Sequence, residues 1–145
     1  MANTLYTAKA HVTGGRSEGH GATSDGALAV DLRLPTEMGG NGGGTNPEQL
    51  FAVGYAACFE GALGVVARRA KAETGDVVID SEVSLTPNSD GGFFLGVTLN
   101  VTLPGIEDAA TAVELVRSAH QVCPYSNATR GNIEVALSAN GQPVD

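Results

Sequence analysis

Basic residues are scarce in this sequence: eight Lys and Arg stand against sixteen Asp and Glu, a formal net charge of -8, and they form no run. A chain of that sign repels phosphate backbones, which argues against nucleic acid as a partner. The stretch from Met1 to Val12 lacks a basic start followed by a continuous apolar run, so no signal peptide is read there. The longest weakly polar segment, Leu50 to Ala67, is interrupted by Glu60 and reads as a buried helix, with no membrane contact expected. There are only two cysteines, neither in a C-x-x-C pair, which excludes the thioredoxin motif. His11, His20 and His120 lie at no metal-ligand spacing from one another or from the cysteines, so neither a metal nor any other cofactor is expected.

What is present reads as one globular domain spanning residues 1–145, with 42% hydrophobic and 17% charged residues. The 20 glycines follow no G-X-Y period and point to tight turns and close backbone approaches. With no leader read, a cytoplasmic location is expected. Thiols there are normally kept reduced, so a cysteine pair is more often catalytic, sensing or merely buried than a structural staple. The Asn-x-Thr sequons at Asn100 and Asn127 are then chance matches.

Alternation predicts strands at Leu5–Val12 and Ala27–Leu34, with a further strand at Gly19–Thr23 turned back by Ser24-Asp25-Gly26. The glycine-rich loop from Gly39 to Gly44 leads to a helix start in which Asn46 caps, Pro47 takes the first helical position and Glu48 sits in the first turn. That helix is expected to reach about Ala72, where Gly75 stops it. Strands at Val77–Leu85 and Phe93–Leu103 flank a loop at Pro87–Gly92, a second helix runs from Glu107 to about Val122, and a last strand covers Ile133–Leu137. The order β-β-β-α-β-β-α-β, with two main helices, favours an α+β fold with a largely antiparallel sheet.

Two positions stand out as chemistry. Around Cys58 the helical neighbours Gly54, Ala57, Gly61 and Ala62 are small, a strip that lets a second helix of this chain or another copy approach closely. Glycine in a helix interior costs up to about 1 kcal/mol, so Gly54, Gly61 and Gly64 need such compensation. Cys123 precedes Pro124, which ends the second helix and opens a further helical turn with Cys123 at its start, where unpaired N–H groups favour a thiolate. Each cysteine reads equally as a buried apolar thiol, and spacing alone does not pair them.

The segments Asn46-Pro47-Glu48-Gln49-Leu50-Phe51, Gly54-Tyr55-Ala56-Ala57-Cys58-Phe59 and Cys123-Pro124-Tyr125-Ser126-Asn127-Ala128-Thr129-Arg130-Gly131-Asn132 closely resemble the organic hydroperoxide resistance (Ohr) branch of the Ohr/OsmC family. Thr13-Gly14-Gly15-Arg16 and the glycine loop match as well, so the resemblance spans nearly the whole chain. It implies an intertwined α+β homodimer with active sites at the subunit interface, reducing organic hydroperoxides, including those of fatty acids, and recycled by a lipoyl-type dithiol. Carried across residue by residue, Cys58 matches the peroxide-attacking cysteine and Cys123 the resolving one, while Arg16 and Glu48 match the pair that activates the thiolate.

The chemistry agrees. A thiol near pKa ~8.5 is mostly protonated at neutral pH, burial raises it further, and no residue beside Cys58 in the chain is cationic. A guanidinium brought from elsewhere answers that need, and Arg16 can fork between a sulfur and the Glu48 carboxylate, although from the residues alone Glu48 reads first as an ordinary first-turn helix acid and Arg16 equally as a solvated loop residue. Ten residues of straight helix separate Glu48 from Cys58 by ~15 Å, so Arg16 and Glu48 are expected to serve the Cys58 of a partner subunit. Phe51, Tyr55, Phe59 and Tyr125 read equally as an apolar wall near Cys58 or as plain core. Three other readings compete: an apolar ligand carrier, a thiol redox sensor, and nucleotide binding by the glycine loop. The last lacks the lysine of a phosphate-binding loop.

Overall fold

The structure, a computed structural model, describes residues 2–145; Met1, the first residue of the segment in which no signal peptide is read, lies outside them. The chain divides into two compact units, Met1–Leu50 and Phe51–Asp145.

The first unit holds a three-stranded antiparallel sheet in the order β1 (Ala10–Thr13), β2 (Gly19–Thr23), β3 (Ala29–Arg33). Asp25 shapes the β2–β3 turn, its carboxylate accepting from Ala27 N–H at 2.9 Å and from the Thr23 hydroxyl at 2.8 Å. The expected strand from Leu5 is corrected: pairing begins only at Ala10, and residues 2–9 are exposed throughout. Alternation signals a strand only where a neighbour offers hydrogen bonds, and β1 has its one partner in β2. A single helical turn, α1 (Gly15–Glu18), joins β1 to β2. A 3₁₀ turn at Thr36–Met38 precedes the glycine-rich loop.

Helix α2 (Pro47–Ala70) starts where its cap requires, with Asn46 Oδ1 accepting from Gln49 N–H at 2.9 Å. It is the one helix among the described residues long and apolar enough to cross a membrane by length and composition alone. The expectation of a buried helix holds for one face only. Tyr55, Phe59, Ala62, Leu63, Val66 and Ala67 are buried, while Val53 stays 72% exposed.

The second unit is built on a four-stranded sheet in the order β4 (Val78–Pro87), β5 (Phe93–Thr102), β6 (Val135–Ala139), β7 (Gln142–Val144). Odd-numbered residues face inward from Ile79 to Leu85 of β4 and from Leu95 to Val101 of β5, so Val97, Leu99 and Val101 are buried beside Leu137 and Ala139 of β6. Against them pack the inner face of α2 and the Ala112, Leu115, Val116 and Ala119 face of α3 (Ala109–Val122), which is capped by Asp108. Each large apolar side chain in this layer contributes roughly 1.5–3 kcal/mol by leaving water.

The α+β expectation stands, with three differences. The strand placed at Ile133 begins two residues later, keeping the same inward parity. An added strand, β7, follows the two-residue turn Asn140–Gly141, whose φ values of 48° and 83° suit a hairpin, a signal the strand reading passed over. The β5–β6 pair is parallel, because the chain crosses over through α3 and α4 (Pro124–Thr129) before returning to the sheet.

Candidate active site

In the first unit, Gly14 (φ 78°) and Gly15 (φ 68°) turn the chain sharply out of β1. A Cβ on Gly14 would stand 2.5 Å from the Glu18 carbonyl oxygen, so only glycine lets α1 fold back this tightly. The turn raises Arg16 to the start of α2. There its Nη1 donates to Glu48 Oε2 at 3.2 Å and its Nη2 to Oε1 at 3.0 Å, a two-pronged pair. The Arg16 bond, more than any other cause, holds the Glu48 carboxyl below the usual carboxylate range against an opposing push from burial.

In the second unit, Cys58 lies on α2, half-buried, and Cys123 is fully buried at the junction of α3 and α4. Both are free thiols, and the sulfurs stand 3.8 Å apart. The junction forms as the sequence predicts. Cys123 is extended (φ -61°, ψ 123°) because Pro124 follows it, α3 ends there, and Pro124 opens α4. Ser126 N–H donates to the Cys123 sulfur at 3.4 Å. Burial pushes the Cys58 thiol up, the Tyr125 backbone N–H pulls it back, and the nearby Cys123 sulfur adds to the rise. Left to these groups, Cys58 is a reluctant nucleophile.

The aromatic residues divide. Tyr55 and Phe59 are wholly core, whereas Phe51 is half-buried and Tyr125 is 37% exposed. Phe51 and Tyr125 meet edge-on with ring centroids 5.7 Å apart. The small strip on α2 serves more than one purpose. A Cβ on Gly54 would sit 2.9 Å from the Tyr125 hydroxyl, so this glycine makes room for a ring and not for a helix backbone, while Gly61 faces open space within the chain. A cleft of about 400 Å³ opens alongside, lined by Phe51, Phe93, Phe94, Leu95, Thr129 and Ile133 among others. Among the described residues, no three His, Cys, Asp or Glu side chains gather as metal ligands would.

A polar group absent from the sequence reading lies behind the sulfurs. The Tyr55 hydroxyl is 2.8 Å from Ser126 Oγ and 3.0 Å from Thr129 Oγ1, and His120 Nδ1 is 2.8 Å from Ser126 Oγ. Burial, with the Arg130 charge second, lowers the His120 pKa. Ser126 and Thr129 at helical i, i+3 spacing were the only local signal for this group.

Comparison with known proteins follows the same lines. The OsmC-like protein family matches residues 39–138. An organic hydroperoxide resistance protein of Xanthomonas axonopodis pv. citri is 56% identical over 92% of this chain and 94% of its own length. The organic hydroperoxide resistance protein OhrB of Bacillus subtilis is 51% identical over 92% of this chain and 96% of its own. Among solved structures, an organic hydroperoxide resistance protein of Vibrio cholerae, with captopril in one of its active sites, superposes with a TM-score of 0.92 at 48% identity, covering 98% of this chain and 96% of that one. A Legionella pneumophila organic hydroperoxide resistance protein gives 0.89 at 53% identity, over 94% and 98%.

Proposed function

Because the chain belongs to the OsmC-like family, in its organic hydroperoxide resistance branch, we propose that it is a cysteine-based peroxidase that reduces organic hydroperoxides to alcohols. The observation that carries this reading is the 3.8 Å separation of a half-buried thiol from a fully buried one. A half-open sulfur is reachable by a substrate, and the sheltered one stands ready behind it.

In this reading the Cys58 thiolate attacks the outer peroxide oxygen, the O–O bond breaks, and the alcohol leaves. Cys58 is left as a sulfenic acid. The Cys123 sulfur then displaces hydroxide from Cys58, giving a Cys58–Cys123 disulfide and water. A dithiol of the lipoyl type reopens it by exchange. The rise in the Cys58 pKa means that ionisation needs a cation. Arg16, oriented by Glu48, is proposed to supply it to the Cys58 of a partner subunit in a homodimer. The exposed face of α2 supports such an association. The apolar cleft beside Phe51 and Phe93 favours substrates with a hydrocarbon body, since burying each CH₂ contributes about 0.8 kcal/mol. Residues 1–145 act as one functional domain, supported by the near-complete coverage of the relatives, and the enzyme works in the cytoplasm.

Turnover of cumene hydroperoxide with excess dithiol tests the proposal. An enzyme consumes many equivalents, a sensor one and a carrier none. Cys58→Ser abolishes consumption. Cys123→Ser retains the first attack but accumulates Cys58 sulfinic acid, seen as a mass increase. Full turnover by the Cys58→Ser protein would overturn the reading.

A further inference from the structure

Three residues before Cys58 stands the hydroxyl of Tyr55, and three residues after Cys123 stands that of Ser126. The two hydroxyls meet at 2.8 Å, fully buried, beside sulfurs that meet at 3.8 Å. Residues three apart on a helix share a face. Tyr55 and Cys58 therefore reach from α2 toward the same neighbour, and Cys123 and Ser126 reach back from one end of α4. The oxygen pair and the sulfur pair are two rungs between the same two segments.

Counting donors gives the oxygen rung a direction. Each hydroxyl has one proton to donate. Thr129 Oγ1 donates to the Ser126 carbonyl at 3.3 Å. Tyr55 therefore donates to Thr129, Ser126 donates to Tyr55, and His120 donates to Ser126 from Nδ1. The chain ends on α3, where Arg130 Nη1 binds the His120 carbonyl at 2.9 Å. Among the described residues no buried side-chain nitrogen or oxygen lacks a partner, so this run is fully satisfied and rigid.

Closing the disulfide requires the sulfurs to approach from 3.8 Å to a bond of about 2.0 Å, while the oxygen rung already stands at its contact distance. The sulfurs must move toward each other while the oxygen rung keeps the two segments at a fixed spacing. We propose that Tyr55, Ser126 and His120 are positioning residues for the closing step. They hold Cys123 in line with the Cys58 sulfenic acid while the S–S bond forms, the S–O and S–H bonds break, and water leaves. No further oxidant enters. The inference rests on the roles assigned above to the two cysteines.

The test separates attack from closure. Reduced Tyr55→Phe, Ser126→Ala and Ser126→Thr proteins are mixed with cumene hydroperoxide. Loss of the Cys58 thiol is followed by stopped flow, and disulfide against sulfinic acid is read by intact mass after thiol blocking. Losing one buried hydrogen bond is expected to slow closure about tenfold in Tyr55→Phe and Ser126→Ala, with sulfinic acid rising as peroxide is raised. Attack stays within about twofold of the parent, since the reacting sulfur and its exposure are untouched. Ser126→Thr, which keeps the hydroxyl, restores closure. Normal closure in both deletions, an equal fall in attack and closure, or failure of Ser126→Thr to rescue would each overturn the clasp. Should one deletion fail to fold, the other with its threonine control decides. If the parent itself forms no disulfide, the peroxidase reading falls with the clasp. A parent that closes normally beside variants that also close normally sinks the clasp alone.

Discussion

Arg16 and Glu48 lie 32 residues apart in sequence and meet through both prongs of the guanidinium, with Arg16 more exposed than its partner. Since the Glu48 pKa is lowered in the folded chain, its contribution to stability is fully present above the unfolded carboxylate range near ~4.3 and is lost as pH falls through the lower folded value. Glu48→Gln should lower the urea midpoint followed by circular dichroism near neutrality and converge with the parent as pH falls below the folded Glu48 value, flattening the acid limb between. An unaltered acid limb would show that the pair adds nothing to folding. At this scale Asn46, Pro47, Glu48 and the Cys123–Pro124 break were legible, because caps and prolines act on their immediate neighbours. The Tyr55–Ser126–Thr129–His120 chain was not, since Tyr55 reaches Ser126 and Thr129 across 71 and 74 residues and their i, i+3 spacing alone does not point back to it.

Helix α2 carries two faces. The inner one follows core spacing and was readable. The outer one, with Val53, Ala57 and Gly61 exposed, is as apolar as many interfaces, yet no segment of this chain covers it among the described residues. If the proposed homodimer forms through this face, Val53→Glu should shift the protein from dimer to monomer in sedimentation velocity and, where Arg16 acts across the interface, abolish peroxide turnover. A fully active monomer would rule out that arrangement. Periodicity located the long elements to within a few residues. It could not say that β5 and β6 run parallel, because strand direction depends on the path of the α3–α4 crossover, nor that the first strand begins only at Ala10.

For the molecule as a whole, the proposed Cys58–Cys123 disulfide would change more than one bond. A link between positions 65 residues apart removes about 4 kcal/mol of unfolded-state freedom by chain entropy. Oxidation by one equivalent of hydroperoxide should raise the denaturation midpoint, the effect should vanish with dithiothreitol, and Cys123→Ser should never show it. No shift on confirmed disulfide formation would mean that strain in the closed form offsets the gain. The resemblance to the family pointed to α+β architecture and to the two cysteines together. Composition and spacing alone left both thiols open to a merely packed role, because neither reports a distance through space.

The separation that makes the pair also divides its manufacture in time. Tyr55 and Cys58 leave the ribosome 65 or more residues ahead of Cys123 and Ser126, an interval of roughly 3 to 13 s at ordinary rates of synthesis. Through those seconds α2 has no hydroxyl to grip, no second sulfur at its side and no sheet to cover Phe59 and Leu63. A nascent chain held at that length carries its apolar face bare and is exposed to clumping until the later segments arrive.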